Sequence, residues 1–288
     1  MWIAATLIAA LAQTGRNAAQ AGLTARIGTL GATGVRFLFG LPFAALFLVA
    51  VAQVAPLPAL TAPAAGWALV GALAQIAATA LMLSAMQRRG FAVATALVKT
   101  EPLTLALMGA AVLAEPLGPA RLGAIATATL GVLLLSGGGW QRAGGRPVAL
   151  AVAAGALFGL SALGFRAAIL ALGDGPSVAR ASVVLVLALA IQTLLIGGWL
   201  AARDRRALRG MTSAWRESLG AGLLGALASQ FWFIGFALAP AADVRTLALV
   251  EVVFAAAVSR RRREAMGRRE LAGMALVVAG VAWLLRAA

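Results

Sequence analysis

Apolar stretches of about 18 residues or more recur along the whole chain, and the connections between them are too short to hold a domain. That pattern constrains the fold more than any other feature. In hydrocarbon every backbone N–H and C=O must be paired within a helix or a closed barrel. The runs lack the every-second-residue alternation of barrel strands, so each is expected to be a membrane-spanning helix. The chain is 62% hydrophobic and 11% charged over 288 residues, which leaves too little polar surface for a soluble protein of this size. Trp2 to Leu11 runs directly into the first span, and no cleavable signal is expected.

Ten spans are read, at about 2–23, 28–52, 65–86, 91–113, 119–140, 148–171, 178–202, 217–239, 243–260 and 269–286. The predicted fold class is an all-α integral membrane protein. Its cations fall mostly in alternate loops. Arg26, Arg88, Arg89, Arg142, Arg146 and the clusters at 203–216 and 260–269 make roughly sixteen, against about four (Arg121, Arg180, Arg245 and Arg286) on the other side. The net charge of +15 therefore reads as a topology signal, and no nucleic-acid partner is expected. The rule places the odd-numbered loops in the cytoplasm. Equivalent loops of the two halves carry opposite bias. The loop after the second span is uncharged, whereas that after the seventh reads RDRRALRGMTSAWRE; Gln87-Arg88-Arg89 follows the third span, but Ala239-Pro240-Ala241 the eighth. An odd number of helices per half inverts the second half. The chain is therefore expected to hold two inverted five-helix repeats, 1–140 and 147–288, making one domain.

The halves also echo each other in detail. Glu251 stands 150 residues after Glu101, and Gly273 follows it at the offset at which Gly123 follows Glu101. A looser echo links Glu115-x-x-Gly118 with Glu264-x-x-Gly267. An ionised group at membrane depth costs at least about 2.5 kcal/mol, which makes Lys99, Glu101 and Glu251 functional candidates. Lys99 and Glu101 are two residues apart, so they point to different helix faces and each needs its own partner or water. A structural ion pair with Arg16 or Arg36 is the alternative. Pro102 frees the carbonyl of Val98 and predicts a local break beside both charges.

Other polar positions fall in stripes. Gln13, Asn17 and Gln20 share one face of the first span, with Arg16 on its flank, and either line a cavity or glue helices together. Gln75, Thr79 and Met82 share a face of the third span, and Phe158, Ser161 and Phe165 one of the sixth. Gln230, Trp232 and Phe233 follow Ser229 in the eighth. Such a mixture suits an amphiphilic small molecule; for the Met and Phe positions taken singly, ordinary packing explains as much. Arg36 and Arg166 are read as snorkelling to an interface. Gly123, Gly131, Gly155, Gly159, Gly273 and Gly280 are read as close-packing positions.

Absences narrow the chemistry. The chain has no Cys, which excludes disulfides and thiolate metal sites, and no His, the commonest base and proton shuttle near neutral pH. No enzymatic activity, metal or cofactor is expected. No acidic ring or filter-like loop suggests a channel.

With ten short-looped helices in two halves, the chain resembles the drug/metabolite transporter superfamily, EamA type. Val35-Arg36-Phe37-Leu38 is similar to the family's arginine at the start of the second helix, and Ala179-Arg180-Ala181 to its copy in the seventh. Glu101-Pro102 and Glu251-Val252 resemble its acidic or proline position in the fourth and ninth, and Glu115 to Gly123 its turn into the fifth. Within the family the resemblance is to YddG-like exporters of aromatic and bulky amino acids. It implies a multi-pass protein of the bacterial inner membrane, a cavity lined from both halves, and export of amino acids by alternating access. A multidrug or nucleotide-metabolite exporter is the alternative. Its expected partners are the small-molecule substrate and membrane lipid, with the chain acting as a monomer. Proton coupling through Glu101 or Glu251 and facilitated diffusion both remain open.

Overall fold

The computed structural model describes residues 1–89, 97–135, 145–251 and 267–287. Eleven helices and no strand occur among them. Numbered here in chain order, they are α1 (Trp2–Leu38), α2 (Gly40–Ala52), α3 (Ala62–Arg89), α4 (Glu101–Leu113), α5 (Pro119–Leu135) and α6 (Gly145–Leu170). After these come α7 (Ser177–Arg203), α8 (Arg205–Ser213), α9 (Trp215–Leu238), α10 (Ala241–Leu247) and α11 (Arg268–Ala287). Six stretches of helix are long and apolar enough to cross a membrane, and α4 and α5 are shorter apolar helices. The basic run 260–263 and Glu264 lie outside the described residues.

The observed boundaries agree with the expected ones at Gly28 and correct them in two other places. The break expected between the first and second spans lies inside α1 at Gly28, where a φ of 73° and ψ of 169° suit glycine alone and separate two helical stretches. The second span is then re-started at Gly40. The basic stretch after the seventh span, read as a loop, contains the helix α8; Asp204 caps it by accepting from the Ala207 N–H at 3.0 Å.

The described chain divides into two compact units, each drawing on both sequence halves: residues 1–73 with 164–238, and residues 74–163 with 239–288. In the first unit α1 packs along α9, and α7 packs against α2 and α9. Small residues set the spacing. A Cβ on Gly222 would lie 2.6 Å from the Phe39 carbonyl oxygen, and one on Gly164 would lie 2.8 Å from the Gly71 nitrogen. Leu23, Val35, Leu200 and Met211 are buried together where α1, α7 and α8 meet.

In the second unit α5 and α11 pack tightly. Gly131 lies against Gly273 and Val277, Gly280 against Ala124 and Ala128, and Gly123 under the Trp283 ring. Rising positions on α5 meet falling positions on α11, so the two helices are antiparallel. Backbones approach this closely only where side chains are absent, as expected of helix pairs that gain little hydrophobic drive from lipid.

Candidate functional site

The fourth segment breaks where the proline predicted. Leu97 and Val98 are helical, Lys99 and Thr100 form a turn, and α4 starts at Glu101. The Thr100 N–H donates to the Leu97 carbonyl at 3.2 Å and the Leu103 N–H to the Thr100 carbonyl at 3.2 Å, three-residue bonds in place of four. Thr100 Oγ1 also donates to the Leu97 carbonyl, at 2.8 Å. Pro102 cannot donate to the Val98 carbonyl, and that oxygen faces α6, where a Cβ on Gly155 would come within 2.9 Å of it.

The ninth segment breaks at the matching place without a proline. α10 ends at Leu247, Ala248 and Leu249 form a turn, and helix resumes at Val250 and Glu251. Again the bonds tighten: Leu249 N–H to the Thr246 carbonyl and Glu251 N–H to the Ala248 carbonyl, both at 3.0 Å. Thus Glu101 directly follows one tightened turn, and Glu251 follows the other after Val250.

These turns carry a set of crossed ion pairs inside the second unit. Lys99 Nζ bonds Glu251. Glu101 Oε1 lies 3.0 Å from Arg245 Nε. Arg121 lies 3.2 Å from Asp243, and its other guanidinium nitrogen donates to the Pro116 carbonyl at 2.6 Å. Lys99 and Glu101 therefore do have separate partners, as their spacing required. The partners are Glu251 and Arg245; the expected ion-pair alternatives, Arg16 and Arg36, belong to the other unit. Arg121 and Arg245, counted above as loop cations, are bound to carboxylates instead. Asp243, with 1% of its side chain exposed, was not singled out in the sequence because it follows Pro240 at a span boundary. The Lys99–Glu251 pair is the most open of the three, at 23% and 17% exposed.

The remaining candidates divide between the units. Gln75, Thr79, Met82, Phe158 and Ser161 belong to the second. Gln75 is buried, Thr79 donates to its carbonyl at 2.8 Å, and Met82 and Phe158 are half-buried. Ser161 Oγ is buried and has no hydrogen-bond partner among the described residues. A hydroxyl left so costs about 1–3 kcal/mol, which marks a place where a ligand group or water would be welcome.

In the first unit Gln13 accepts from Trp232 Nε1 at 3.2 Å, and Gln230 donates to Ser182 at 2.9 Å. The Phe165 and Phe233 rings meet at 4.7 Å between centroids, tilted by 34°, and Phe236 lies 6.2 Å from Phe233. All three rings are buried. The side chains of Asn17 and Gln20 lie outside the described residues, although both positions are helical. Arg166, read as snorkelling, instead donates to the Phe236 carbonyl. The Arg36 guanidinium sits 5.4 Å from the Phe37 ring centre. Arg16 is buried, and its aliphatic stem passes over Gly225 together with that of Arg36.

Residues 1–137 match the model of the EamA-like transporter family. No curated protein matches the chain. Among solved structures, a crystal structure carrying no functional description is similar, with a TM-score of 0.71 at 20% identity, covering 99% of this chain and 97% of its own. At that identity the likeness concerns fold. With its apolar helices, the chain is a multi-pass membrane protein whose first half carries an EamA-like transporter match.

Proposed function

We propose that the chain is a secondary transporter exporting amino acids, aromatic or bulky ones first, by alternating access across the bacterial inner membrane, with its odd-numbered loops in the cytoplasm. The observation that carries this reading is the partly open Lys99–Glu251 pair beside the two tightened turns. Separating two charges at membrane depth strands both of them. A zwitterion relieves both at once: its carboxylate takes Lys99 and its ammonium takes Glu251. A simple cation or anion would satisfy one partner and strand the other. Ser161 Oγ supplies a further polar contact, and Met82 and Phe158 in the same unit supply apolar ones. The antiparallel packing of α5 on α11, elements at equivalent places in the two sequence halves, supports the inverted repeat on which alternating access rests.

The test is flux of labelled amino acids into proteoliposomes of the purified protein. Saturable uptake of phenylalanine, tryptophan or leucine above empty vesicles is expected, with Lys99→Ala reducing it at least about tenfold, as loss of a charge-assisted contact implies. Absence of saturable flux for every bulky amino acid would remove the substrate assignment. Full flux in Lys99→Ala would remove the pair from the site.

A second reading, export of phosphorylated metabolites, is favoured by one observation, the convergence of Arg16 and Arg36 over Gly225. Thermal-shift screening of amino acids, nucleotide metabolites and cationic drugs separates the readings, since ligands of the native state raise its apparent stability.

A further inference from the structure

The short helix α8 has two unlike faces. Ala207 and Met211 are buried, packed with Leu23, Val35 and Leu200, so the helix is fastened to α1 and α7. Gly210 lets it approach: a Cβ there would lie 2.6 Å from Ile27 Cγ2. The other face, with the residues flanking it, presents Arg203, Arg205, Arg206, Arg209 and Arg216, all exposed. Asp204, the acid within this run, is committed to capping the helix. Trp215 is 52% exposed, with the Arg216 guanidinium 5.3 Å from its ring centre. Arg206, Arg209 and Ser213 line a surface cleft of about 650 Å³ together with the apolar Ile27 and the capping Asp204.

Depth completes the picture. α8 connects the end of α7 to the start of α9, both long enough to cross a membrane. It therefore lies at headgroup level, where tryptophan is favoured and an arginine-bearing amphipathic helix settles in the plane of the bilayer. A loop that only fixed orientation would need arginines in any arrangement. Here they are ordered on a helix, beside an aromatic ring and around a cleft lined by a hydroxyl, an apolar side chain and a carboxylate that caps the helix. That combination matches a phosphate diester carrying acyl chains.

We infer that α8 is a docking site for an anionic phospholipid, with Arg206 and Arg209 holding the phosphate and Trp215 seated among the headgroups. Each arginine near an anionic surface contributes about as much as a several-fold change in affinity, and salt screens it. The site is independent of which substrate the protein carries.

The experiment is native mass spectrometry of the full-length protein released from detergent containing equal phosphatidylglycerol and phosphatidylcholine. Preferential retention of phosphatidylglycerol is expected. In R206Q/R209Q that preference should fall on the order of tenfold, whereas R206K/R209K keeps most of it and R146Q, an exposed arginine in the first turn of α6, keeps all of it. The melting temperature of each variant reports whether it is folded. Equal retention of the two lipids by the natural protein, or an undiminished preference in folded R206Q/R209Q, would overturn the inference. Displacement of the lipid by inorganic phosphate at equal concentration would also overturn it, by assigning the cleft to a free anion.

Discussion

At the level of single residues, Lys99–Glu251, Arg245–Glu101 and Arg121–Asp243 each link the first sequence half with the second among the described residues of the second unit. The glutamates and Lys99 were legible in sequence because charge inside an apolar run is expensive and stands out. Asp243, Arg245 and Arg121 were not, since each lies at the end of a run where a charge is ordinary. Only the folded chain shows that Asp243 is buried and faces Arg121. Removing one partner of a buried pair costs about 3–5 kcal/mol, because the other is left stranded. Asp243→Asn should accordingly lower stability by about 3 kcal/mol, seen as a clear fall in melting temperature in detergent. The double variant D243N/R121Q should recover part of the loss, and an unchanged melting temperature in the single variant would show that the pair contributes nothing.

Among the elements, the glycines of α5 and α11 perform the packing role that their spacing suggested. A Cβ on Gly131 would fall 2.6 Å from the Val277 nitrogen and 2.7 Å from the Gly273 carbonyl oxygen, both backbone atoms that cannot swing aside. Gly131→Ala should therefore destabilise by about 1–3 kcal/mol and force α5 and α11 apart. Gly66→Ala meets nothing within 4 Å and should be neutral, which makes it the matched control for the same thermal melts. The segment breaks divide differently. Pro102 announces the first, through the N–H it lacks. Nothing in Thr246-Leu247-Ala248-Leu249 announces the second, where Arg245 is tied to Glu101 before the turn and Glu251 to Lys99 after it. The amphipathic α8 was likewise hidden inside a basic stretch, because its buried face is short, Ala207 and Met211 with Leu208 partly covered beside them.

For the molecule as a whole, the asymmetry of arginine among the loops remains the guide to orientation. The natural chain has no cysteine, so single cysteines report sidedness without background. Leu57 and Thr212, in the equivalent connections after the second and seventh spans, are both exposed. Leu57→Cys should react with an impermeant maleimide added outside intact cells, and Thr212→Cys only after permeabilisation. Labelling of both from the same side would show that the halves are not inverted.

The sequence alone determined that this chain lives in a membrane as helices, because hydrocarbon allows its long apolar runs no other pairing of backbone groups. It also exposed Lys99, Glu101 and Glu251, whose cost in lipid makes them conspicuous. Partnership was decided by tertiary structure. Which carboxylate meets which cation, where the ninth segment turns, and which face of the basic connection is buried all depend on residues more than 100 positions apart meeting in space, and local periodicity contains no term for that.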